Sequence, residues 1–97
     1  MRNSNEVTLK EAIIQFLQSN PFIKDKINEK KIMDIWEKTM GKMICKRTTK
    51  IILRKKKLSI EVNSASLRNE LTYAKEKIKN IINTEIGEDI VGEVIIK

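Results

Sequence analysis

The sequence predicts an α+β domain built as a two-layer sandwich. Apolar residues recur every three or four positions in three segments, as in helices with one buried face. In the middle of the chain and at its end they alternate with polar residues at period two, as in half-buried strands. The 97 residues are 40% hydrophobic and 34% charged, enough for one globular core and too short for two.

Residues 1–7 are polar and read as a flexible lead-in, leaving 8–97 as a single domain. Thr8-Leu9-Lys10-Glu11 has the form of a capping box, a hydroxyl at the N-cap and a carboxylate three residues on. Leu9, Ala12, Ile13, Phe16 and Leu17 then share one helical face. Asn20-Pro21 ends this helix, because a residue before proline avoids helical geometry. A second helix is expected from Asn28, with Ile32, Ile35, Trp36, Met40, Met43 and Ile44 as its apolar stripe. Gly41 interrupts it, as a bend, an end or a point of close packing.

From Thr48 the period changes. Thr49, Ile51 and Leu53 alternate with Lys50, Ile52 and Arg54, and Leu58, Ile60 and Val62 alternate with Ser59 and Glu61. The two runs predict a β-hairpin. Its turn, within Arg54–Lys57, has neither Gly nor Asn, so a four-residue loop is expected rather than a tight primed turn. Asn63-Ser64-Ala65-Ser66 offers N-caps for one long helix carrying Leu67, Leu71, Ala74, Ile78, Ile81 and Ile82. That helix should end near Thr84, with Gly87 allowing the exit turn. Val91, Val94, Ile95 and Ile96 form a closing strand of a three-stranded mixed or antiparallel sheet, whose apolar face the helices cover.

Composition narrows the function. With no His, the commonest general base and metal ligand is missing. The single Cys45 makes neither an internal disulfide nor a multi-thiolate zinc site, and it reads as a small buried hydrophobe. Glu88-Asp89, near Glu85 and Glu93, reads as a solvated turn rather than a magnesium site. No enzyme activity, metal, cofactor or small-molecule substrate is expected. The first residues lack the apolar stretch of a signal peptide, and no apolar run is long enough to span a bilayer, so the expected location is cytoplasmic.

The net charge of +7 suits an acidic partner. Lys42, Lys46, Arg47, Lys50, Arg54, Lys55, Lys56 and Lys57 fall in sixteen consecutive positions with no acid among them. That window carries +8, and the remaining 12 basic and 13 acidic residues sum to −1. A solvated hairpin with edge-blunting lysines would also be basic. The continuous run from helix to strand, with two arginines and no carboxylate, points instead to phosphate capture. The window holds no aromatic residue, so no base-stacking platform is visible there. Trp36 reads as a core residue, and Tyr73 as either core edge or exposed contact. The charge lies on a hairpin rather than an amphipathic helix, which argues against a membrane surface.

Three segments resemble the DciA-like family of bacterial replicative-helicase loaders, formerly a domain-of-unknown-function family. Ile35-Trp36-Glu37-Lys38-Thr39-Met40-Gly41-Lys42-Met43-Ile44 is similar to its tryptophan-to-glycine helix motif. Leu58-Ser59-Ile60-Glu61-Val62-Asn63-Ser64-Ala65-Ser66-Leu67-Arg68-Asn69-Glu70-Leu71 is similar to its strand, serine-rich cap and helix start. Ile81-Ile82-Asn83 through Ile96 is similar to its helix end, glycine turn and closing strand. The resemblance spans about residues 9–97 and marks a short form of the family.

It implies a KH-like fold, with a type II-like αββαβ core and an extra N-terminal helix. It also implies a partnership with the hexameric replicative helicase, and binding to single-stranded or forked DNA through the phosphate backbone, without catalysis. Gly41-Lys42-Met43-Ile44 lacks the second glycine of the GxxG clamp of KH domains, so that clamp is not carried over. Two other readings stay open: a protein-interaction module that does not touch DNA, and an RNA- or ribosome-associated KH-like protein.

Overall fold

The computed structural model describes residues 4–97, with side chains from Thr8 onward. The elements run α1 (Ser4–Ser19), α2 (Pro21–Arg47), β1 (Thr48–Arg54), β2 (Lys57–Val62), α3 (Ala65–Tyr73), α4 (Lys75–Ile86) and β3 (Glu93–Ile96). The sheet order is β1-β2-β3, with β1 and β2 antiparallel and β2 and β3 parallel, so the sheet is mixed. The class is α+β, as expected.

One face of the sheet is apolar because its strands alternate. Ile51, Leu53, Leu58, Ile60, Val62 and Val94 point into the core, where they meet Ile32 and Trp36 of α2, Leu71 of α3, and Ile78 and Ile82 of α4. Trp36 is 1% exposed and sits in the core as predicted. Its indole Nε1–H donates to Thr48 Oγ1 (2.9 Å), and that hydroxyl donates to the Ile44 carbonyl (2.8 Å). This short relay ties the end of α2 to the start of β1.

Several expectations are corrected. The backbone is already helical at Ser4, so Thr8 lies within α1 rather than at its cap; the rest of the expected lead-in, residues 1–3, lies outside the described residues. The stripe of α1 does not join the core: Leu9, Ile13 and Phe16 are each more than half exposed. The second helix starts at Pro21, not Asn28, because proline suits the first helical position, and Asn28 is buried. Gly41 bends α2 at φ 86°, ψ 170°. A Cβ there would meet nothing within 4 Å, so the glycine serves backbone conformation and not close packing. Beyond the bend Met43 is 80% exposed and drops out of the predicted stripe.

The hairpin turn has only two residues, Lys55 and Lys56, at φ 51° and 68°. This is the tight turn that the composition argued against. Tertiary hydrogen bonds hold it: Lys55 N–H donates to Asp25 Oδ2 (3.2 Å), and the Lys56 carbonyl accepts from Gly92 N–H (2.8 Å) and Glu93 N–H (3.1 Å).

The long third helix is two helices. They break at Ala74 (φ −107°, ψ 15°), whose N–H turns back to the Leu71 carbonyl at 3.0 Å. Neither Gly nor Pro marks the break, and it lets both halves lie against one twisted sheet. Ser64 caps α3 through Leu67 N–H (3.3 Å), and Gly87 takes the left-handed exit turn at φ 80°, as predicted. Val91 is fully buried but precedes the closing strand. Cys45 is half-buried beside Trp36 and Thr48 rather than fully enclosed.

Candidate nucleic-acid interface

The eight basic residues occupy three places. Lys46 and Arg47 form the last turn of α2, where cations also complement the helix dipole, and Lys42 lies just past the Gly41 bend. Lys55 and Lys56 are the hairpin tip. Lys50, Arg54 and Lys57 lie on strands, on the sheet face that the helices leave open. β1 separates the helix end from the tip by seven residues, about 20 Å of strand. The window is therefore a basic band along one edge strand rather than a single cluster.

Strand register gives the open face its layout. Ile52, Ser59 and Ile95 form a row across the three strands. On the tip side, Arg54 pairs with Lys57, which pairs with Glu93. On the other side Lys50 pairs with Glu61, and Lys97 lies beside Glu61, its N–H donating to the Ile60 carbonyl at 2.8 Å. A shallow depression of about 460 Å³ lies over this face, lined by Ile52, Arg54, Lys55, Lys57, Ser59, Ile95 and Lys97.

Two features were not foreseen. Lys97 joins the basic face although it lies forty residues beyond the window; the period-two pattern of the closing strand, continued one residue, was the available signal. Glu61 and Glu93 also reach this face, so a window free of acids along the chain is not free of them in space. Glu61 is engaged by Thr49, whose Oγ1 lies 3.1 Å from Oε2.

None of the eight basic side chains is in a salt bridge among the described residues. The ion pairs use Lys24, Lys26, Lys38 and Lys79 instead. Arg54 rests its guanidinium 5.8 Å from the Phe22 ring centre, and Lys26 shares that ring at 5.5 Å. This orients Arg54 without neutralising it. The arrangement presents unpaired cations to an extended anion. Among the described residues no group of three or more acidic or Cys side chains is placed to hold a metal ion, and no helix is long and apolar enough to cross a membrane.

No curated protein and no solved structure is similar enough to the chain to count as a match. The family model described as "Dna(CI) antecedent, DciA" matches residues 8–96. That span takes in the Trp36-to-Gly41 segment, the basic band, the Ser64-capped helix and the closing strand. The chain accordingly belongs to the DciA family, which is associated with loading of the replicative helicase in DNA replication.

Proposed function

We propose that this protein is a non-enzymatic accessory of bacterial DNA replication that engages the replicative helicase and binds DNA through its phosphates. Family membership over residues 8–96 carries the helicase half of this reading. The band of unpaired cations from Lys42 to Lys57 supports the DNA half. A type II KH-like core is part of the same reading: β2 and β3 are parallel and joined through α3 and α4, behind the antiparallel β1–β2 pair. The protein works in the cytoplasm, without catalysis or cofactor.

Nucleic-acid affinity measured against salt tests the DNA half. Four to six phosphate contacts give a log–log slope of roughly −3 to −5, at about 0.7–0.9 per contact. Reversal of Lys55, Lys56 and Lys57 to Glu should weaken binding and flatten the slope; unchanged binding and slope would remove this assignment. Capture by purified helicase, with and without nuclease, tests the partnership. Nuclease-resistant capture without any DNA shift at low salt would favour a protein-interaction module instead. Competition between forked DNA and single-stranded RNA separates the DNA reading from an RNA one.

A further inference from the structure

Among the described residues ten large apolar side chains are exposed, and eight of them lie between Leu9 and Met33, on α1 and the first half of α2. On α1, Leu9, Ile13 and Phe16 step by four and three along one stripe. On α2, Ile23 and Ile27 lie on the side opposite the buried Ile32 and Trp36, flanked by lysines and Asp34. Among the described residues neither surface has a partner beyond the joint between the two helices.

The joint explains why. A helical hairpin needs a loop of about two to five residues, whereas only Asn20 separates these helices. Hydrogen bonds from both sides close on that residue. Its N–H donates to the Leu17 carbonyl (3.2 Å), its Nδ2 to the Phe16 carbonyl (2.7 Å), and its carbonyl accepts from Ile23 and Lys24 N–H (3.0 and 3.1 Å). Pro21 also keeps it out of helical geometry, at φ −129°, ψ 71°. So α1 projects away from the core and cannot fold back over its own α2. The molecule measures 59 × 22 × 20 Å, with a radius of gyration of 16.2 Å. A compact chain of this length would have about 12–13 Å.

We infer that the occupant of these faces is a second copy of this chain. In a two-fold pair, α1 of each protomer lies antiparallel along the outer face of its partner's α2, the interaction that the short joint denies within one chain. The lengths agree: α1 is about 24 Å long, and the segment Pro21–Asp34 about 21 Å. The areas agree as well. The five side chains of the two stripes, Leu9, Ile13, Phe16, Ile23 and Ile27, roughly 150–200 Å² each and about half exposed, offer on the order of 400 Å² of apolar surface per copy, roughly the apolar half of the ~800 Å² per partner of a standard interface. The pairing leaves the basic band free, so it stands apart from the proposed DNA contacts.

Sedimentation of the full chain tests the pairing. The expected mass is twice 11.3 kDa, falling to 11.3 kDa for Phe16→Glu on α1 and, separately, for Ile27→Glu on α2. Both positions are exposed in the single copy, so circular dichroism and thermal melting should show each variant folded. Variants Ile13→Cys and Ile27→Cys, combined in one chain carrying Cys45→Ser, should form a disulfide that links two chains on a non-reducing gel. A wild-type chain that sediments as a monomer overturns the inference, as does a 13–27 disulfide formed within one chain. A monomer whose capture by helicase is lost in Phe16→Glu overturns it too, and assigns the face to the helicase.

Discussion

Glu29 is a carboxylate in a place where a strand edge would otherwise be bare. β1 is an edge strand, and Leu53 N–H points outward from it, donating to Glu29 Oε2 at 2.8 Å. The Glu29 side chain is 8% exposed, with Lys26 3.5 Å from its other oxygen. Asp25, one turn earlier on α2, does the same for Lys55 N–H. Glu29→Ala leaves a buried donor without an acceptor and should cost about 1–3 kcal/mol in urea unfolding; Glu29→Gln, which keeps an amide oxygen, should cost less. Asn83 is a comparable knot. Its Nδ2 donates to Asp89 Oδ1 (3.0 Å) and to the Val91 carbonyl (2.9 Å), while its Oδ1 accepts from Ile90 and Val91 N–H (3.1 and 2.9 Å). Asn83→Ala should therefore destabilise the approach to β3 by about 2–4 kcal/mol, seen as faster amide exchange at Ile90 and Val91. Neither role was legible in the sequence, because Asp25, Glu29 and Asn83 act on backbone groups that only the fold brings within reach.

At the scale of the elements, the hairpin turn and the bend in α2 carry opposite lessons. Lys55 and Lys56 hold positive φ without being glycine, a conformation costing roughly 1–2 kcal/mol per residue. Lys56→Gly should stabilise the hairpin by about 1 kcal/mol in thermal unfolding, since its side chain is not what holds the turn. Gly41, at φ 86° and ψ 170°, occupies a region nearly reserved for glycine. Gly41→Ala should cost about 1–3 kcal/mol despite open space around the new Cβ, or straighten α2 and displace Lys42 and Lys46. The glycine was conspicuous in the sequence because it broke a helical pattern. The break at Ala74 was not, because alanine is the best helix former and the demand for a bend comes from the sheet beneath.

For the whole molecule, the basic band and the projecting α1 define its outer surfaces. Because the cations spread over about 20 Å of β1, no single lysine dominates. Lys46→Glu at one end and Lys56→Glu at the other should weaken DNA binding to a similar degree, each neutralised contact reducing the salt slope by about 0.7–0.9. Lys97→Glu, on the same face but outside the window, should act in the same direction. An effect confined to one end would mean that the anion docks there and does not follow the strand. Tyr73, 86% exposed at the turn between α3 and α4, is not a core-edge residue.

The sequence by itself determined the α+β class, both hairpin strands, the Ser64 and Gly87 caps, the burial of Trp36 and the segment that carries the net charge. Each of these depends on local spacing, on capping chemistry or on a count of charges. The tertiary structure decided the rest. It set the two-residue turn, the break at Ala74, the arrival of Glu61, Glu93 and Lys97 on the open face, and the exposure of the α1 stripe. Those outcomes depend on which elements meet in space. The stripe on α1 marks a face that needs cover, yet its period carries no record of where the cover comes from; a one-residue joint at Asn20 places it outside the core.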